Sequence, residues 1–157
     1  MKPYLARLLD HACWANARTL ASLQSVEPPV EAVRLFAHVL TTERIYHERM
    51  EGQDPWPQDF WPDLSLEACA SLMPANRDRY RGFLDACDEA DLLRPVRYRN
   101  SRGIVYHTPI VDLMTHVMLH GEHHRGQIAQ RLRRYGGEPA LTDFIAYVRE
   151  HDAAETR

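Results

Sequence analysis

The chain has 157 residues, 45% of them hydrophobic and 26% charged, which gives one globular domain spanning 1–157 and leaves too little length for two. A formal net charge of −3 supplies no electrostatic reason to expect nucleic acid or an anionic membrane as partner. The basic cluster Arg131, Arg133 and Arg134 falls where a helix C-terminus favours cations in any case.

Helical periodicity dominates the pattern. Leu5, Leu8, Leu9, Ala12, Ala15, Leu20 and Leu23 recur at three- and four-residue spacings and predict an amphipathic first helix over 4–23. Pro28-Pro29 closes it and opens a second helix over 30–51, with Gly52 as its C-terminal cap. Residues 53–64, rich in proline and with Trp56, Phe60 and Trp61, read as a loop that either packs down on the bundle or covers an apolar pocket. Asp63 or Ser65 can cap a third helix over 66–89, in which Pro74 predicts a kink or a later start.

Val96 and Tyr98, then Ile104 and Tyr106, alternate around Asn100-Ser101-Arg102-Gly103, so 95–108 reads as a short hairpin or extended crossover. Thr108 as N-cap and Pro109 in the first turn open a fourth long helix over 109–135, stopped by Gly136-Gly137. A short helix opening at Leu141-Thr142-Asp143 ends near Glu150, with a frayed tail over 151–157. The expected fold is all-α: a four-helix bundle with an extended crossover before the last long helix and a short C-terminal helix. Such bundles build metal and ligand sites from inward-pointing side chains on facing helices.

Four of the nine histidines fall within 116–127. His116, His120 and His124 follow at i, i+4, i+8, a nearly straight row on one helix face. With about 100° of rotation per residue and His116 as origin, Ile110, Leu113, Val117 and Ile128 cluster at roughly 60–120°, the buried side. His124 at about 80° lies within that sector, His120 at about 40° on its edge, and His116 and His123 further out. Burying two uncompensated imidazoles is costly, so the pair reads either as half of a metal site or as a polar, partly solvated helix face. A third ligand would come from another helix, with His11, His38 and His47 as candidates. Periodicity does not choose among them. Leu35, Val39, Ile45 and Tyr46 form one apolar side of the second helix, beside His38, and Val33, Phe36 and Leu40 form another, beside His47.

Other chemistries have no support. Cys13, Cys69 and Cys87 are odd in number, far apart and without a Cys-x-x-Cys pair, which argues against a disulfide framework or a thiolate zinc site and fits a reducing cytoplasm. No segment reads as a signal peptide or a membrane span. Glu122 stands in the wrong register for a His-Glu-x-x-His zincin, neither Glu43 nor Glu122 supplies the Glu-x-x-His of a di-iron bundle, and no glycine loop cradles phosphate. Gly126 in mid-helix suggests a close helix crossing, Arg125 a pairing with a carboxylate such as Glu43, and Trp14 a core position or, with Asn16, part of the site's lining.

Three segments together resemble the DinB/YfiT-like superfamily of metal-binding four-helix bundles. They are Leu9-Asp10-His11-Ala12-Cys13-Trp14-Ala15-Asn16, the run Leu35-Phe36-Ala37-His38-Val39 with Glu43-Arg44-Ile45-Tyr46 and Gly52, and 116–128 ending in Leu132 and Gly136-Gly137. The last is the most specific, and the likeness extends over nearly the whole chain. In that family one second-helix histidine and a His-x-x-x-His on the last long helix hold a divalent metal. The resemblance thus implies His38, His120 and His124 as ligands, with His116 as a neighbour that supports them or faces substrate, and no role for His123. Three neutral imidazoles leave positions open for water or substrate and suit zinc, nickel or iron alike. The implied function is that of a metal-dependent enzyme, a thiol-dependent S-transferase type or a hydrolase, acting on a small molecule with a low-molecular-weight thiol as candidate partner. A non-catalytic metal-binding or structural, stress-related bundle is the alternative. No catalytic group beyond the ligands is assigned, and a cytoplasmic homodimer is expected.

Overall fold

Four long helices carry the architecture: α1 (Lys2–Gln24), α2 (Val30–Met50), α3 (Leu66–Ala86) and α5 (Ile110–Arg134). A one-turn helix α4 (Glu89–Leu93) and a hairpin of β1 (Pro95–Arg99) and β2 (Val105–Pro109) connect α3 to α5, and α6 (Phe144–Asp152) closes the described chain. The computed structural model describes residues 1–54 and 56–152. Each of α1 and α2 packs on both α3 and α5, so α1 lies across the bundle from α2. Among the described residues no helix is long and apolar enough to cross a membrane.

Helix ends follow local chemistry. Gly52 takes φ +80°, a left-handed conformation open to glycine at no steric cost, and the Gln53 N–H bonds back to the Glu48 carbonyl at 2.8 Å. At the end of α5, Gly136 (φ +78°) and Gly137 return their N–H groups to the Arg133 and Leu132 carbonyls at 3.2 and 2.9 Å. Ser65 caps α3 by accepting the Ala68 N–H at 3.2 Å, and the helix continues through Pro74 without restarting there.

Three boundaries differ from the sequence expectation. The third helix stops at Ala86, not near residue 89, because Asp88 and Asp91 form a reciprocal capping box that opens α4. Thr108 caps nothing: it belongs to β2, opposite Val96, and Pro109 occupies the N-cap of α5 with no side-chain bond. The last helix starts at Phe144 and still holds His151 and Asp152, through ion pairs Arg7–Asp152 (2.7 Å) and Arg18–Glu150 (2.6 Å). The rest of the expected frayed tail, 153–157, lies outside the described residues.

The core is split in two along the bundle. One cluster holds Leu5, Leu9, Met50, Tyr80, Leu84 and Leu113; the other holds Leu23, Leu35, Phe36, Leu40, Ile128 and Leu132. Where they part, every long helix contributes a polar residue. Asn16 (α1) and Asn76 (α3) donate to the two oxygens of Glu43 (α2) at 2.8 and 3.0 Å, and Arg125 (α5) donates to Asn16 Oδ1 at 2.9 Å. Burial pushes the Glu43 carboxyl up, against the two amides and the Arg125 charge that hold it down.

Candidate metal centre

One turn separates His120 from His124 on α5, and α2 presents His38 opposite them. The Nε2 of His120 stands 3.1 Å from Nε2 of His38 and 3.1 Å from Nε2 of His124. Each of the three residues offers a ring nitrogen, and these nitrogens all lie within 4.8 Å of one another. A tetrahedral ion with metal–nitrogen bonds of 2.0–2.1 Å spaces its ligands roughly 3.3 Å apart. The two separations from His120 are close to an edge of such a polyhedron, and the third nitrogen pair lies within 4.8 Å.

The outer nitrogens decide which atoms face inward. His38 Nδ1 donates to the Phe60 carbonyl at 2.7 Å, and His124 Nδ1 donates to Gln127 Oε1 at 2.8 Å. Both rings therefore turn an Nε2 lone pair toward His120. His120 carries at most one proton on Nε2 and can offer it to one of the two. As a hydrogen-bond network the trio is one proton short, whereas as a donor set for a cation it is complete. Burial pulls all three imidazoles below the ordinary histidine value. His120, which also feels His124 and His38, falls to about 3. Neutral imidazole is the form that binds metal.

Phe60 and Trp61 roof this arrangement. The Trp61 indole stacks flat on His38 with centroids 3.7 Å apart and planes at 2°, and Phe60 supplies the carbonyl that fixes His38. A cavity of about 550 Å³ opens beside the histidines, with His38 and His120 on its wall and Tyr46, Arg49, Gln58 and His116 around it. That volume is in the range of small-molecule sites.

The remaining candidates sort by position. His116 lies outside the nitrogen cluster, with its ring 5.5 Å from that of His120 and 4.9 Å from that of Tyr46, and lines the cavity. His123 is exposed, yet it accepts from Gln127 Nε2 at 3.0 Å, the amide whose oxygen holds His124. His11 is buried elsewhere and bonds to the Thr142 carbonyl at 2.8 Å, while His47 sits over Tyr80 and Phe83. Trp14 packs on Tyr147 and under Arg18, so it docks α6 and does not line the site. Arg125 pairs with Glu122 at 2.8 Å and reaches Glu43 only through Asn16. Gly126 crosses nothing, since a Cβ there meets no atom within 4 Å; the tight glycine is Gly121, whose Cβ would come 2.8 Å from Arg125 Nη1.

Sequence reasoning missed Arg49, Gln58 and Tyr46. A usable signal existed for Arg49: eleven residues after His38, it returns to within about 20° of the same face of α2.

The DinB family's sequence model matches residues 7–156. The chain is also 34% identical to Protein DinB of Bacillus subtilis (strain 168) over 168 aligned positions, covering 94% of this chain and 95% of that protein. The matched span takes in the first-helix run 9–16, the second-helix run around His38 and the segment 116–128, the three segments that carry the resemblance. The chain belongs to the DinB family.

Proposed function

We propose that this protein is a metal-dependent enzyme that holds a divalent ion through Nε2 of His38, His120 and His124. The observation that carries the reading is the trio of neutral imidazoles, two with Nδ1 already committed to Phe60 and Gln127, with His38 and His120 on the wall of a 550 Å³ cavity. Such an ion, with coordination positions left open, lowers the pKa of a bound water or thiol and polarises a carbonyl, which fits a thiol-dependent transferase or a hydrolase. Zinc, nickel and iron all accept nitrogen ligands of this kind.

The chain's own residues then orient and exclude. Phe60 and Gln127 fix the His38 and His124 tautomers so that both lone pairs stay on the metal side. Trp61, stacked on His38, shields that ligand from water, and the cavity receives the substrate. His116 stands one ring beyond His120, where partial desolvation and the Arg49 charge hold it below the ordinary histidine value, a neutral ring able to accept a proton.

A thermal-shift titration tests the reading. Divalent zinc, nickel or iron(II) should raise the unfolding midpoint, and glutathione, bacillithiol or mycothiol should raise it further only in the metal-loaded protein. Failure of every metal to stabilise removes the metal reading. A thiol that stabilises equally without metal removes the thiolate chemistry and leaves hydrolysis.

A further inference from the structure

We infer that the cavity beside the three histidines takes a small organic acid, whose carboxylate is held by Arg49 and Gln58. The inference deepens the metal-dependent-enzyme reading and rests on it for the acid's role as substrate; the binding itself depends on these two side chains.

Arg49 is 1% exposed and lines the cavity. A buried guanidinium is costly unless its charge is met, and among the described residues it forms no ion pair. Asp54, the carboxylate whose charge reaches it, is taken by Arg99 at 2.8 Å and faces Arg97 at 3.8 Å. Arg49 Nη2 donates to two neutral acceptors, Gln58 Oε1 at 2.8 Å and the Arg99 carbonyl at 2.6 Å. The rings of Tyr98, Tyr46 and Phe60 stand 4.5, 4.7 and 5.3 Å from its central carbon and offset part of the charge.

Two buried donors in this corner have no acceptor, Arg49 Nε and Gln58 Nε2, and both belong to residues on the cavity wall. One cation and two unused N–H groups, with no excess acceptor among them, specify a ligand that accepts and carries negative charge. Asp59 also borders the cavity, but it is exposed and its carboxylate accepts the Trp61 N–H at 2.8 Å. Phe60, Trp61 and Tyr46 supply apolar wall for the body of such an acid. The Tyr46 ring stands 4.7 Å from the guanidinium carbon and 4.9 Å from the His116 ring, so the acid group and His116 share one aromatic neighbour on the cavity wall.

The test uses the full chain with metal stripped by chelation and, separately, loaded with zinc. Calorimetry measures binding of carboxylates from propionate to 3-phenylpropionate against their matched primary amides. In the metal-stripped protein at least one carboxylate should bind tenfold or more tightly than its amide. Gln58→Leu should erase most of that preference, and Arg49→Lys should do so too if it folds, as judged by circular dichroism. Equal binding of acids and amides overturns the inference, as does absence of binding by either set. A preference that survives Gln58→Leu, or that emerges only with zinc, also overturns it while leaving the metal reading intact. Conversely, a protein that binds no zinc but prefers carboxylates loses the metal reading and keeps this one.

Discussion

Replacing Gln127 by Leu removes the acceptor that fixes His124 without touching any of the three clustered histidines. In the wild type, Gln127 Oε1 accepts from His124 Nδ1 at 2.8 Å while its amide nitrogen donates to His123 at 3.0 Å. Leucine has similar bulk and is a good helix former, so α5 persists. His124, only partly buried, then loses its tautomer restraint and is free to place the proton on Nε2, facing His120. Loss of one such supporting bond costs about 10–100-fold in metal affinity, roughly 1.4–2.8 kcal/mol, and about 1 kcal/mol or less in metal-free stability. A competition titration against a chromophoric chelator reads the first quantity, and thermal unfolding of the stripped protein reads the second. His123→Ala is the control: it removes only the exposed side of the link and should change affinity by no more than a few-fold. If Gln127→Leu binds zinc as tightly as wild type, the orienting role assigned to Gln127 is refuted.

Three further outcomes follow from the geometry. The metal-free protein should lose stability as pH falls from the unfolded-state histidine value of about 6.5 toward 3: burial lowers His120 to about 3 in the fold, so across that window the unfolded chain binds the extra proton, and the slope approaches 1.4 kcal/mol per pH unit from this group alone. Urea titrations at stepped pH measure it, and a flat profile contradicts it. Asn16→Ala strips one donor from Glu43 and the acceptor of Arg125 Nη1, and should destabilise by about 2–4 kcal/mol in denaturant titration. Gly126→Ala, exposed and with no atom within 4 Å of the added methyl, should stabilise by about 0.5–1 kcal/mol, whereas Gly121→Ala meets Arg125 Nη1 at 2.8 Å and should lose that gain.

The four long helices were legible because their apolar spacing is regular and their ends carry strong signals: Pro28-Pro29, Gly52, Ser65 and Gly136-Gly137. The short α4 was lost because Asp88-Glu-Ala-Asp91 continues a helical pattern and its capping box shows only as two acidic residues three apart. Thr108 misled for a related reason: it precedes a proline at a helix start, but strand pairing with Val96 claims it. On α5 the angular argument set His120 and His124 at or beside the apolar stripe, and in the fold both are half-buried beside it. It could not separate His38 from His47 because α2 packs on both α3 and α5 and is apolar on two sides. His38 came forward through the family resemblance, and the structure brings its Nε2 to 3.1 Å from His120. The Arg125–Asn16–Glu43 relay spans three helices, and no spacing within one segment reveals that an amide would stand between the two charges.

The central claim is that Nε2 of His38, His120 and His124 together hold a divalent ion. Its most direct test is the metal content of untagged protein, exchanged with zinc and freed of excess, compared with His120→Ala and His38→Ala variants of unchanged helicity. About one equivalent in the wild type and little in either variant is the predicted result, as a three-imidazole site is left with two ligands. Equal metal in all three proteins, or none in the wild type, contradicts the claim.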